Sequence, residues 1–364
     1  MNTVAPVLDG HNDLVWELRM RCGYDLAAFD VGVVQPAIHT DLPRLRAGGV
    51  GAQFWSVWVP CDEPAPDPVP TTLEQIEGAH ALIERYPADL VLATTADDVT
   101  RAFAAGRIAS LLGAEGGHQI GGSLGVLRTL YRLGVRYLTL THTRNTEWAD
   151  SATDEPVHGG LTDFGRRVVA ELNRLGMLVD LSHTAASTMH DALDVSRAPA
   201  FFSHSNARAL CSHPRNVPDD VLTRVRDTDG VVMLTFVPGF LTEECHAWMD
   251  ELQAEEARLG HDDRAGRRRW LDAHPRPPCG VTDVADHVEY VREVAGVRAV
   301  GLGGDFDGMS DPPDGLTDVA GYPNLFAELA RRGWSEPELS GLASGNALRV
   351  LRETQSLATA GPDE

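Results

Sequence analysis

The chain has 364 residues, 43% of them hydrophobic and 23% charged, with a formal net charge of −22 at pH 7. That acidic balance argues against nucleic acid and anionic membrane surfaces as partners, because both demand a basic face. All 31 basic residues are arginine, which excludes a lysine Schiff base, a Walker-type phosphate loop and a carbamylated lysine bridging two metals.

Apolar runs punctuated by glycine, proline and helix signals recur along the chain. The first, "PVLDGH", reads as a buried strand that runs into His11 and Asp13. If the strand continues that far, those two side chains project from the same face. The second strand, "AQFWSVWV", leads into the Pro-rich "PCDEPAPDPVP", an extended loop over the mouth of the fold. A helix follows in "TTLEQIEGAHALIERY", opened by a capping-box spacing from Thr71 to Glu74. Further strands are expected at "IASLLGAEG", "VRYLTLTH", "MLVDLSH", "PAFFSHS", "GVVMLTFV" and "AVGLGGDFDG". Among the intervening helices, "SLGVLRTLYRLG" and "LTDFGRRVVAELNRLG" each close on a glycine at a C′ position. Residues 243–280 break the alternation. They are highly charged and partly helical, and read as a solvated excursion in preference to a lid or a dimer contact.

Strands alternating with helices imply parallel β/α units, and eight of them imply a single (β/α)8 TIM-type barrel spanning residues 1–364. A doubly wound sheet would offer a glycine-rich fingerprint after its first strand, and none is present.

In a parallel barrel all strand C-termini lie on one face, where active sites of this fold are built. Here the strands close on His11 with Asp13, Glu115, His142, His183, His204, and Asp305 with Asp307. Ligand-type residues end six of the eight strands, a pattern that scattered histidines would seldom produce. Imidazoles and carboxylates without thiolates suit Zn²⁺, Mn²⁺ or Co²⁺. The inventory exceeds the needs of one ion. The economical account places His11 and Asp13 on one metal and His183 and His204 on the other, with Glu115 bridging, since no lysine is available to do so. Such a pair lowers the pKa of a bridging water and clamps attacking and departing groups. Asp305 is then free as general base and acid. Glycines in "GAEGGH" would let backbone approach the site closely.

The motifs "DGHNDL", "GAEGGH", "LTLTHTRNTEWADS", "DLSH", "FSHSNAR", "PRNVPDD" and "GGDFDG" occur in order. Together they resemble the membrane dipeptidase (renal dipeptidase) family of the amidohydrolase superfamily. The resemblance runs over essentially the whole chain, to "SGLASGNALRVL". It implies a zinc-dependent dipeptidase holding two zinc ions per chain and cleaving dipeptides, L-Xaa-D-Xaa among them, by attack of a metal-bridging hydroxide. Hydrolysis of N-acyl amino acids or lactones on the same metal pair is the alternative. Carried over by position, His11, Asp13 and Glu115 would hold the first ion, and Glu115, His183 and His204 the second. His142 would contact substrate near the scissile carbonyl, and Asp305 would be the proton shuttle at the substrate, with Asp307 supporting the turn. Arg215 would bind the substrate's C-terminal carboxylate, a task suited to its bidentate fork. Without the resemblance, Arg215 reads as a helix cap or a partner of Asp219 or Asp220. Membrane-anchored relatives pair a cysteine at the position of Cys61 with one at that of Arg144, so that disulfide is not expected here.

Five scattered cysteines without a C-x-x-C fit a reducing compartment. No apolar stretch is long enough to span a bilayer, and the N-terminus passes directly into the first strand. A cytoplasmic protein acting on a small dipeptide is therefore expected, with neither membrane nor nucleic acid as partner. A homodimer is compatible with all of this.

Overall fold

The computed structural model describes residues 5–61, 67–260 and 263–359. Within them lie nine strands: β1 (Val7–Asn12), β2 (Val50–Ser56), β3 (Leu90–Leu92), β4 (Ile108–Glu115), β5 (Val135–Thr139), β6 (Leu178–Asp180), β7 (Phe201–Phe202), β8 (Val231–Leu234) and β9 (Val300–Leu302). All pairings between them are parallel. Pairing of β1 with both β2 and β9, together with β2 against β4, closes a ring of eight strands. The fold is a (β/α)8 barrel.

The extra strand, β3, stands outside the ring. It pairs only with the first residues of β4, Leu90 to Ile108 through Leu92 to Ser110, before β5 takes over along the rest of that strand.

Side chains alternate between the barrel interior and the helical layer with the period of two that strands impose. Leu8, Ala52, Phe54, Ala109, Leu111, Tyr137, Phe201, Val231 and Met233 fill the interior as one cluster, closed off by Val350 and Leu351 of the C-terminal helix Asn346–Ser356. Their neighbours Val7, Trp55, Leu112, Leu138, Val232 and Leu302 belong to the larger cluster between strands and helices. Gly113 permits this filling. A Cβ there would stand 1.9 Å from Cζ of Tyr137, so only glycine leaves the ring room to lie across the barrel.

Two local expectations need correction. The helix assigned to the Thr71–Glu74 spacing begins a turn earlier and spans Pro68–Arg85. Asp67 caps it by accepting the N–H of Val69, and Pro68 occupies the first turn, where a missing N–H is harmless. Thr71 and Thr72 are thus inside the helix, their hydroxyls donating to the carbonyls of Asp67 and Pro68 at 2.7 and 2.6 Å. Residues 62–66 of the Pro-rich loop lie outside the described residues.

The stretch 243–280 forms two helices, Glu243–Leu259 and Arg264–Ala273, joined by an ion pair between Glu256 and Arg267. Cys245 and Leu252 on the first helix are buried. The segment is therefore not a solvated excursion throughout, because an apolar stripe at helical spacing runs among its charges. Residues 261 and 262 of it lie outside the described residues. No helix among the described residues is long and apolar enough to cross a membrane.

Candidate metal centre

The barrel's geometry delivers the strand-end residues to one place. His11 sits within β1, and Asp13 is the first residue beyond it, at the start of the helix Leu14–Cys22. Glu115 is the last residue of β4, whereas His142, His183, His204 and Asp305 lie just past the ends of β5, β6, β7 and β9. Although β1 stops at Asn12, Nε2 of His11 stands 3.3 Å from Oδ2 of Asp13.

Glu115 is the hub. Its Oε1 is 2.9 Å from Nε2 of His183, 3.4 Å from Nε2 of His204 and 3.8 Å from Nε2 of His142. Its Oε2 is 3.3 Å from Nε2 of His11 and accepts the Ser56 hydroxyl at 3.2 Å. Ligand-type atoms fall into mutually close groups: His11, Glu115 and His204; Glu115, His142 and His183; and His11, Asp13 and Asp305. Two adjacent groups thus share Glu115, as a binuclear metal site requires. His142 and Asp305, expected to face substrate and protons, stand inside this constellation rather than beside it.

The cluster fits cations. Burial keeps His183 and His204 neutral by holding both well below the usual imidazole range, helped at His183 by Arg215 and at His204 by His11. Their Nε2 atoms nevertheless approach to 3.1 Å while facing the same carboxylate oxygen. Burial opposes charge on His11, but Glu115, Tyr137 and Asp13 outweigh it and hold the group well above its ordinary value. Burial likewise opposes the charge on Glu115, which His11, through its charge and hydrogen bond, keeps well below the usual carboxylate range. The carboxylates around His11 thus demand positive charge at this position. Nε2 of His11 faces both carboxylates, 3.3 Å from Oδ2 of Asp13 and 3.3 Å from Oε2 of Glu115. Imidazole nitrogens and carboxylate oxygens converging in this way suit zinc or its neighbours.

Strain and close approach accompany this convergence. His183, Asp305 and Asp307 adopt φ of +68°, +62° and +68°, the left-handed region that side chains other than glycine rarely occupy. At Gly308 a Cβ would come within 2.3 Å of Oδ1 of Asp305 and 2.4 Å of Oδ2 of Asp13, so the backbone itself forms that wall. Asp307 turns elsewhere. Its Oδ1 accepts the N–H of His39 at 2.6 Å, and burial pushes its carboxyl up to about 7.

The supporting groups were not found from sequence. Nδ1 of His11 lies 2.9 Å from the Tyr137 hydroxyl. Nδ1 of His204 lies 2.7 Å from Oγ of Ser203, which donates to Asp180 at 2.6 Å. Asp180 also accepts the N–H groups of Ser182 and Ser203, fixing the loops that carry His183 and His204. Asp9 does the same for β1 and β9, accepting the N–H groups of His11 and Gly304 and the Tyr322 hydroxyl. Burial pushes its carboxyl up to about 6. A signal existed, since an aspartate inside each of the apolar runs "VLDGH" and "LVDLSH" has to find donors when buried.

Carboxylate–hydroxyl–imidazole chains set ligand orientation and basicity. Ser203→Ala is accordingly expected to lower affinity for divalent transition metal ~10–100-fold with the fold intact. Chelator competition measures this, and unchanged affinity would show that His204 needs no such support.

A cavity of about 560 Å³ opens above the cluster, bordered by Trp16, Trp58, Arg215, Phe240, Trp248 and Met249. Arg215 is only 3% exposed. Its guanidinium donates to the His204 carbonyl at 3.2 Å and to Ser205 Oγ at 3.4 Å, and stacks on Phe240 at 5.4 Å. Neither Asp219 nor Asp220 pairs with it; Asp219 accepts from Tyr290 and Asp220 faces His190. Burial lowers its pKa to about 10, partly offset by Asp305 and Glu115. The Cys61 sulfur lies 3.7 Å from Nδ1 of His142, and no disulfide links the described cysteines.

Known proteins share this architecture and sequence. The chain is 43% identical over 366 residues to dipeptidase aclJ of Aspergillus oryzae, covering 98% of this chain and 80% of that protein. It is 42% identical over 372 residues to an uncharacterized dipeptidase of Schizosaccharomyces pombe, covering 98% and 82%. A crystal structure of a metallo peptidase from Rhodobacter sphaeroides, liganded with a phosphinate mimic of the dipeptide L-Ala-D-Ala, superposes with a TM-score of 0.79 at 28% identity, covering 97% of this chain and all of that one (100%). The pattern of the family described as membrane dipeptidase, peptidase family M19, matches residues 1–363, and the chain belongs to that family.

Proposed function

We propose that this protein is a dipeptidase that works with two zinc ions and hydrolyses dipeptides bearing a free C-terminal carboxylate, L-Xaa-D-Xaa among them. One observation carries the reading: a buried guanidinium, Arg215, borders the cavity beside the Glu115 cluster with no carboxylate partner among the described residues. A buried cation with no carboxylate in direct contact is costly unless a ligand supplies one. The Rhodobacter relative, liganded with its dipeptide mimic, supports the D-residue in that position.

Under this reading His11, Asp13, Glu115, His183 and His204 would hold the ions, with Glu115 common to both sets of ligands. When bound, such a pair would supply Lewis-acid chemistry toward a carbonyl and would lower the pKa of water at the site. The chain's own groups do the rest. Arg215 fixes the substrate's carboxylate by a bidentate pair, which sets the register of the scissile bond. His142, within the cluster, contacts the scissile carbonyl. Asp305 takes a proton from the attacking water and returns it to the departing amine.

Elemental analysis of protein purified without chelator is expected to approach two equivalents of metal per chain. Activity on a mixed dipeptide panel should vanish on chelation and return with zinc. A stoichiometry that stays at one under metal-replete conditions would sink the bridging role of Glu115. Cleavage of N-acyl amino acids or lactones with no cleavage of dipeptides would overturn the substrate class.

A further inference from the structure

The helix Glu243–Leu259 places Cys245, Trp248, Met249 and Leu252 at i, i+3, i+4 and i+7, the spacing of one face. Trp248, Met249 and Leu252 border the cavity over the metal centre, with Glu256 and Arg267 at the outer end. Cys245, at the base of the stripe, is buried.

This face is held next to Arg215 from both ends. Thr242 caps the helix by accepting the N–H of Cys245 at 3.2 Å. Glu243 accepts the N–H and hydroxyl of Ser212, on the loop that leads to Arg215, at 2.6 and 2.9 Å. Met249 lies so close over Gly239 that a Cβ on that glycine would meet its Cε at 2.5 Å. The next residue, Phe240, carries the Arg215 guanidinium on its ring. Farther out, the Trp248 indole donates to the carbonyl of His274 at 2.8 Å, and the Glu256–Arg267 pair ties in the second helix.

In an amino acid the α-carboxylate and the side chain leave the same carbon. A C-terminal residue whose carboxylate reaches Arg215 therefore presents its side chain close to the guanidinium, and this apolar face is the wall that stands there. We propose that the helix Glu243–Leu259 is a specificity wall, in which Trp248, Met249 and Leu252 receive the side chain of the substrate's C-terminal residue and select a long or branched apolar group. The inference rests on the dipeptidase reading. Two or three methylenes buried against such a wall are worth ~10-fold or more in discrimination. The Glu256–Arg267 pair forms a polar rim that limits the depth of the apolar region.

The test compares kcat/KM for zinc-loaded protein on L-Ala-Gly and on L-Ala-Xaa with Xaa alanine, leucine or phenylalanine, in whichever stereochemical series is cleaved. Wild type should favour leucine over glycine by ~10-fold or more. Met249→Ala and Leu252→Ala should each erode that preference several-fold and leave L-Ala-Gly within twofold. Met249→Trp, which fills the space instead of emptying it, should also depress leucine and phenylalanine while sparing glycine. Because Met249 is half-exposed, its variants keep the test alive if Leu252→Ala misfolds. An unchanged leucine-to-glycine ratio in the Met249 variants, or an equal loss on all substrates, overturns the wall. Failure of wild type to cleave L-Ala-Gly or any other member of the series overturns the dipeptidase reading itself, and the wall with it.

Discussion

Asp305→Asn is expected to retain both metals and bind substrate, while kcat falls by ~10²-fold or more. The residue is held at φ +62°, with Gly308 pressed against its carboxylate. A strained backbone at a fixed distance from the cluster is the mark of a group whose position matters more than its comfort. Burial pushes its carboxyl well above the usual range; His11 opposes this, and Asp13 and Glu115 add to it. A raised pKa suits a group that must both take and give a proton near neutrality. Cations among the neighbouring ligands draw that value back down, so metal loading has to be held constant in the comparison. The sign is definite: the base is the ionised form, so activity should rise with pH through the Asp305 pKa on the acid limb, and Asn should abolish that limb. Asp305 also groups with His11 and Asp13 as a set of adjacent ligand atoms. Loss of a metal equivalent along with activity would therefore make it a ligand, and metal content must be measured beside kcat.

The barrel was legible because its strands carry dense apolar runs between recognisable helix ends, such as Gly176 at φ +69° after the helix Asp163–Leu175. β3 was not. Three residues between a helix and a turn, paired along only part of β4, carry no periodicity of their own. The convergence of His11, Glu115, His183 and His204 was readable from position alone, since parallel strands put their C-termini on one face. The sharing of Glu115 was expected too; what position could not give was which histidine faces which of its oxygens, because the loops past β5, β6 and β7 bend each histidine by an amount that spacing does not encode. The role expected for Arg215 came from family resemblance, and its geometry removes the competing partners Asp219 and Asp220. The buried side of the 243–280 stretch was not legible for a different reason. Charges dominate its composition, whereas on its first helix burial falls on Cys245 and Leu252, in the stripe that also carries Trp248 and Met249.

Arg215→Met is expected to cost ~2–4 kcal/mol in kcat/KM on dipeptides, the range for truncating one partner of a desolvated, hydrogen-bonded charge pair. Methionine keeps an unbranched stem and can remain packed on Phe240, so the change removes charge and donors more than volume. Two side effects need separating from the intended one. The guanidinium also donates to the His204 carbonyl and to Ser205, so its loss can loosen the loop that carries His204. It also lowers the pKa of Asp305, so the acid limb should move to higher pH in the variant, and rates belong on the plateau above it. Amidating the dipeptide's carboxylate removes the other partner without touching the protein. Wild type should lose a similar factor on the amide, and the variant should lose little more, because a pair broken from one side has nothing left to lose from the other. Loosening of the His204 loop would instead reduce both substrates by the same factor. If wild type cleaves dipeptide amides as fast as free dipeptides, Arg215 serves the fold alone, and the requirement for a free C-terminus disappears with it.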